Sequence, residues 1–302
     1  MSSAARAWLI DASIYIFRAW FSMPDNWHTA DGMPVGAVYG YTRFLLDFIE
    51  QTDAPQHCAA AFDESLGSNY RNAIYPAYKS SRELPDETLA FQLEACREVT
   101  ERLGIPCYGG PLYEADDYLA TLARLFREAD CAVTVVTRDK DLGQLIHNPD
   151  DNWWDFAQGE LIDRASFSLR FGVAPEQFAD YLALVGDPVD DIPGVPGIGA
   201  KTAAALLQLY PTLDKLGRGL HGVHAIKLRG ARGIAAKLKE HWPQVLLARQ
   251  LASLEDEIDH VQELPRFDSQ PENFLNLAAY LKELNIEGPL QRRCEQLAKQ
   301  SR

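Results

Sequence analysis

Three carboxylates fall within four positions in Glu114-Ala115-Asp116-Asp117, at the head of an apolar helix. Leu119, Leu122, Ala123, Leu125 and Phe126 continue the helical spacing and give that helix a core face, which puts the acids at its N-terminus. Acids are favoured in a first turn by the helix dipole alone, and this cluster taken singly does not separate that reading from a binding site. A second pair, Asp139 and Asp141, follows the run Ala132-Val133-Thr134-Val135-Val136. That run reads as a buried parallel strand, and ligands of open α/β sheets gather beyond the carboxyl ends of such strands. Asp11 closes Ala7-Trp8-Leu9-Ile10, and Asp63 follows Cys58-Ala59-Ala60-Ala61-Phe62. Three strand ends and one helix start therefore present carboxylates to one region.

So many like charges stay ionised at close range only if something positive neutralises them. Either their pKa values rise, as in a carboxylate dyad, or divalent cations settle among them. All-oxygen ligation suits Mg²⁺, with Mn²⁺ as the alternative, and no Cys/His cluster argues for zinc. An acidic metal cage is the economical reading.

The elements that must position these acids form a βαβ series: strand 7–10, helix 36–51, strand 58–62, helix 86–103, short strand 105–107, helix 114–129 and strand 132–136. The alternation predicts a parallel sheet wrapped by helices, and Trp153-Trp154-Asp155-Phe156 adds a further strand. From residue 172 the pattern is helical, with Pro175 near a helix start and helices at 199–209, 232–240, 242–252, 272–284 and 288–300.

Two other segments carry chemistry. Residues 68–82 hold Arg71, Lys79 and Arg82 with Tyr70, Tyr75 and Tyr78 and no acid. An ordinary solvated loop has this look, and so does a mobile segment that grips a phosphate backbone while tyrosines stack on bases. In Gly194-Val195-Pro196-Gly197-Ile198-Gly199-Ala200-Lys201-Thr202 the glycine spacing is wrong for a dinucleotide loop and no strand precedes it. A tight hairpin between helices explains the glycines, and the second helix then starts with free N–H groups suited to phosphate. A helix–turn–helix without ligand is the plain reading beside it.

At 302 residues with 47% hydrophobic content the chain fits about two globular domains. No secretory pattern and no apolar run near about 20 residues occur, so a cytoplasmic protein without a membrane partner is expected. The five cysteines (58, 96, 107, 131, 294) are widely spaced and read as buried free thiols. A net charge of −14 opposes nucleic-acid binding on its own, but between Lys201 and Gln250 nine Lys/Arg stand against Asp214 and Glu240. One basic stripe on an acidic chain suits a polyanion held against bound metal.

Taken together, Ile10-Asp11-Ala12-Ser13, Phe62-Asp63-Glu64, Tyr78-Lys79-Ser80-Ser81-Arg82, Glu114-Ala115-Asp116-Asp117, Arg138-Asp139-Lys140-Asp141 and Gly186-Asp187 through Thr202 resemble the bacterial 5′-nuclease and flap endonuclease family, over residues 7–255. The layout is similar to the 5′→3′ exonuclease domain of DNA polymerase I type enzymes, and a standalone nuclease without an attached polymerase is expected. The resemblance implies an α/β fold with a PIN-like parallel-sheet nuclease core and a helical arch (residues 1–171, arch about 65–85). It further implies an all-α helix-three-turn-helix DNA-binding region (172–262) and a C-terminal helical extension (263–302). It assigns Asp11, Asp63, Glu114 and Asp116 to a first metal site and Asp139, Asp141 and Asp190 to a second, with Asp117 and Asp187 as nearby or water-mediated carboxylates. It places K⁺ at hairpin carbonyls around Val195 to Ile198, while the readings of the 68–82 segment and of the hairpin put DNA contacts on Arg71, Tyr75, Tyr78, Lys79, Gly194, Gly197, Ile198, Gly199, Lys201 and Thr202.

The activity implied is hydrolysis of DNA phosphodiesters at 5′ ends, flaps or nicks by a monomer, with two Mg²⁺ ions about 4 Å apart clamping attacking and leaving oxygens. Lys79, seconded by Arg82 or Arg71, would stabilise charge on the scissile phosphate. His147 has no part in that scheme. A PIN-like ribonuclease and a non-catalytic branched-DNA binder are the rivals. Departures from the family pattern are Asp191 where relatives usually have Asn, Arg138 where many have Gly, and a Gly-rich basic stretch at 216–232 that matches less well.

Overall fold

A computed structural model describes residues 5–300. Its centre is a six-stranded sheet of β1 (Arg6–Asp11), β2 (His57–Ala61), β3 (Cys107–Tyr108), β4 (Ala132–Val136), β5 (Asn152–Asp155) and β6 (Glu160–Ile162), in the order β3-β2-β1-β4-β5-β6. The first five strands are parallel and β6 is antiparallel to β5. The chain builds leftward from β1 to β3 and then rightward from β4, so the order reverses between β1 and β4. At such a switch point the connections diverge and leave a crevice beyond the strand ends. Asp11, the last residue of β1, stands there.

Pleating divides β1 between two cores. Ile10 faces one side, into a cluster with Tyr41, Leu45 and Phe48 of α2 (Gly36–Gln51) and Cys96 and Val99 of α4 (Glu87–Arg102). Ala7 and Leu9 face the other, against Leu119, Leu122, Ala123 and Phe126 of α5 (Ala115–Glu128). Two helices that the sequence pattern does not announce complete this half: α1 (Ala12–Ser22), which begins directly on Asp11, and α3 (Tyr70–Ile74) within the arch segment.

The helical half comprises α6 (Arg164–Phe171), α7 (Phe178–Val185), α8 (Ala200–Leu209), α9 (Leu213–Gly219) and α10 (Ala231–Ala252). The break expected near residue 241 does not occur. Pro243 sits inside one 22-residue α10, held by a buried face of Leu238, Val245, Ala248 and Leu251. Proline forfeits one backbone hydrogen bond there, and core contacts on both sides outweigh it. This core includes Phe167 of α6 and extends to Trp153 and Ile162 of the sheet half. Phe167 lies on Gly143, where a Cβ would overlap the ring. Finally α11 (Pro271–Glu283) and α12 (Pro289–Gln300) place Phe274, Leu277, Leu281, Leu290 and Leu297 in the same cluster as α2 and α4. All five cysteines are free, and among the described residues no helix is long and apolar enough to cross a membrane.

Candidate active site

The acids converge as their positions on strand ends require. Asp11, Asp63, Glu114, Asp116 and Asp139 line one cavity of about 590 Å³, together with Lys79, Arg82 and Arg138. Asp11 is both the end of β1 and the N-cap of α1: Oδ1 accepts from Ile14 N at 3.3 Å, and Oδ2 accepts from Thr137 Oγ1 at 2.7 Å. Thr137 also receives the Asp139 N–H on that hydroxyl at 2.9 Å, so one side chain fixes the acids of two adjacent strand ends. Asp139 Oδ1 in turn accepts from Asp141 N at 2.8 Å. Asp63 is set by its N–H donating to Ser13 Oγ at 2.8 Å and by the Ser65 hydroxyl on Oδ1 at 3.0 Å.

The arch segment lies down on these acids. Lys79, in a left-handed conformation (φ 50°), brings Nζ to 2.5 Å from Glu114 Oε1 and 3.6 Å from Asp190. Arg82 reaches Asp190 at 2.6 Å, and Tyr78 donates its hydroxyl to Glu114 at 2.9 Å. The turn carrying Asp190 holds the arch in return, its carbonyl accepting from Lys79 N and Asp191 Oδ2 accepting from Ser81 N at 2.9 Å. On the loop that carries Asp139 and Asp141, Lys140 Nζ is 2.7 Å from Asp187 Oδ2 and 3.2 Å from Asp141 Oδ1.

The electrostatics follow from burial and crowding. Burial first, then the charge of Asp139, pushes Asp141 up to about 7. Asp11 is likewise raised to about 7, by burial and by Asp139 and Asp63, against its hydrogen bonds. Asp116 lies well above the carboxylate range from burial and from Asp139 and Asp11. Glu114 is the exception: burial pulls it upward, but Lys79 and Arg71 outweigh that and hold it below its ordinary value. Carboxylates so placed are short of positive charge.

Whether they suit a divalent cation is answered by the donor set, which is carboxylate oxygen throughout, and by the buried Asp141 Oδ1, which has no hydrogen-bond partner. Lys140 is near that oxygen without hydrogen-bond geometry. Hard oxygen donors of this kind fit Mg²⁺ or Mn²⁺. Among the described residues no three acids are drawn close enough to hold an ion unaided. Lys79, Arg82 and Lys140 stand between them.

Four expected site residues have other partners in the structure. Asp117, expected beside the metals, is fully buried and spends both oxygens on protein: Oδ2 on Arg71 Nη1 at 2.7 Å and the Glu114 N–H, Oδ1 on Arg71 Nη2 at 2.7 Å and the Glu255 N–H. Arg71, expected on DNA, is 1% exposed and also donates to the carbonyls of Leu251 and Ser253. It joins arch, α5 and the end of α10. Tyr78 is 3% exposed and turned to Glu114, so it offers no face for stacking. Tyr75 packs against the helical core. Arg138 pairs with Asp155 at 3.1 Å, and His147 lies apart from the cavity.

At the hairpin, a Cβ on Gly194 would overlap the carbonyl of Val185, and Gly197 takes a left-handed φ of 79°. Val195 and Ile198 anchor the loop in the core, with Ile198 N donating to Val195 O at 2.9 Å. Gly199 is the N-cap of α8 and has no side chain to satisfy the free N–H groups. Lys201 is exposed beside them and Thr202 donates its N–H back to Gly199. A helix start left open in this way suits phosphate.

Comparison with known proteins identifies a family for the chain. The family described as "5′-3′ exonuclease, N-terminal resolvase-like domain" matches residues 6–172, and "5′-3′ exonuclease, C-terminal SAM fold" matches 173–274. A 5′-3′ exonuclease of Buchnera aphidicola is 30% identical over 82% of this chain and 85% of its own length. DNA polymerase I of Rhizobium leguminosarum is 34% identical over 95% of this chain, and the chain spans 28% of that protein. Among solved structures, the T5 5′-exonuclease with bound zinc covers 98% of this chain and 100% of its own at a TM-score of 0.65 and 15% identity. The catalytic core of Rad2 with DNA covers 99% and 92% at 0.64 and 16%. At that identity the likeness shows a shared fold, the PIN-like sheet core.

Proposed function

Because the chain belongs to the 5′–3′ exonuclease family, we propose that it hydrolyses DNA phosphodiesters near 5′ ends, flaps or nicks with the help of two divalent cations. The supporting observation is the convergence of Asp11, Asp63, Glu114, Asp116 and Asp139 on one cavity beneath Lys79 and Arg82. Asp11, Asp63, Glu114 and Asp116 would hold one ion, and Asp139, Asp141 and Asp190, with Asp187 behind, the other. Mg²⁺ suits these donors, and Mn²⁺ is the substitute. When bound, the ions supply Lewis-acid stabilisation and a water of lowered pKa.

The chain's own residues do the rest. Lys79 and Arg82, which pair with Glu114 and Asp190 over the acids, would face the scissile phosphate and stabilise charge that grows there. Thr137 and Ser13 keep Asp11, Asp139 and Asp63 oriented through the hydrogen bonds described above. The α8 N-terminus with Lys201, backed by the basic stripe, holds duplex backbone without reading bases. The loop around Val195 to Ile198 is the proposed K⁺ position. Action as a cytoplasmic monomer completes the proposal.

Cleavage assays on 5′-flap, nicked duplex and single-stranded RNA substrates, with Mg²⁺ or with EDTA, test it. Mg²⁺-dependent release from the DNA substrates is the expected result. Cleavage confined to RNA, or none with intact DNA binding, would overturn it.

A further inference from the structure

Each acidic cluster holds a lysine, and the two lysines are placed differently. Lys79 comes from the arch and lines the cavity. Lys140 comes from the same short loop as Asp139 and Asp141, lies outside the cavity lining, and sets its ammonium between two acids. Its ammonium bonds Asp187 Oδ2 at 2.7 Å and stands 3.2 Å from Asp141 Oδ1, the buried oxygen without a hydrogen bond. The other Asp187 oxygen is taken by the Val189 N–H at 2.8 Å. Among the described residues Lys140 is thus the one side chain supplying positive charge to both Asp141 and Asp187, while Asp190 is served by Arg82 and Lys79.

We propose that Lys140 is a positioning residue, the resident counter-cation of the second acidic cluster, and that it sets how weakly this cluster takes a divalent ion before DNA arrives. A cation entering beside Asp141 meets an ammonium already there and must displace or tolerate it. The repulsion between like charges at a few ångströms is large in a partly buried site. The side chain is 42% exposed, so the ammonium has room to swing outward when displaced. The benefit is a cluster that stays folded while empty. The consequence is a second ion of low affinity, retained once substrate phosphate adds its own negative charge.

The inference rests on the two-cation reading, and the test separates them. Mn²⁺ is titrated calorimetrically at pH 8 into the full DNA-free chain and into Lys140→Met, with Lys140→Gln as a second neutral variant and Lys140→Arg as the charge-keeping control. Melting curves establish that each is folded. One tight and one weaker ion are expected in the wild type. The weaker should tighten at least fivefold in Lys140→Met and Lys140→Gln, with the tight one unchanged and Lys140→Arg like wild type. A second ion tightened less than fivefold, or weakened, in both neutral variants would overturn the role of Lys140 alone. Absence of Mn²⁺ binding in every protein would overturn the two-cation reading with it.

Discussion

Arg71 and Asp117 form a two-armed ion pair with both N–O distances at 2.7 Å, in surroundings where Arg71 is 1% exposed and Asp117 is fully buried. Removing one partner of such a pair leaves an uncompensated buried charge. Arg71→Ala should therefore cost about 3–5 kcal/mol and lower Tm by roughly 10 °C. Thermal unfolding followed by circular dichroism checks this. A loss of DNA affinity at unchanged Tm would return Arg71 to the DNA-gripping role.

Asp116→Ala and Asp141→Ala should abolish cleavage and leave the fold intact, because each removes a carboxylate proposed to hold a cation, raised by burial and not a packing group. Each change relieves like-charge crowding, so Tm should hold or rise. Single-turnover rates at saturating Mg²⁺ decide it: a rate within tenfold of wild type would defeat the assignment.

Lys79→Ala should lower the single-turnover rate by on the order of 10²-fold or more, with DNA affinity nearly unchanged, as for one electrostatic stabiliser lost from the transition state. Lys79→Arg is a poor rescue, since Nζ fits 2.5 Å from Glu114 in a left-handed backbone already strained. Rates and equilibrium binding on one flap substrate make the comparison. Normal cleavage once bound would show that the segment only captures DNA.

The metal-free protein should lose stability as pH rises. Asp11 and Asp141 move from 3.8 in their ordinary state to about 7 when folded. Between those values the folded chain retains protons that the unfolded chain has released, so stability falls from about pH 4 to about pH 7 and the loss is complete above it. Millimolar Mg²⁺ should raise Tm at pH 8 and do far less at pH 5. Scanning calorimetry with and without EDTA measures both, and a metal-free Tm that climbs from pH 5 to pH 8 would contradict it.

Lys201→Ala combined with Gly199→Val should weaken binding to nicked duplex and flatten its salt dependence, because fewer counterions are released. Gly199 has open space around its Cβ position, so the valine obstructs a ligand and not the fold. Fluorescence anisotropy across a salt series reads the slope. Unchanged affinity at moderate salt would make the hairpin structural only.

The acids are legible in the sequence because a buried β-branched run such as Ala132–Val136 declares its own end, and neither core packing nor solubility calls for an acid at that point. The parallel sheet and the hairpin are legible for similar reasons, whereas the strand order is not. α1 is not, since its N-cap is Asp11 itself and the acid's two duties cannot be told apart by spacing. Composition places Arg71 and Asp117 at the site because it records charge but not partners 46 positions apart. Lys140 reads in sequence as a spacer between two aspartates, and only side-chain direction shows which acids it serves. Pro243 suggests a break because the contacts that keep α10 whole lie outside any local window.

Phe167 stacks edge-on to Phe178 at 5.1 Å while its ring covers Gly143, two residues beyond Asp141. The two family matches meet at residues 172 and 173, but the packing of Phe167 on Phe178 crosses that boundary. A piece ending near residue 172 carries every acid from Asp11 to Asp141 but not Phe178, so the ring that fixes the loop of the second cluster loses its backing. A shuffled or transplanted catalytic half would keep its chemistry on paper and lose the placement of Asp141. The two halves are thus coupled mechanically, through a phenyl ring wedged between helix and loop.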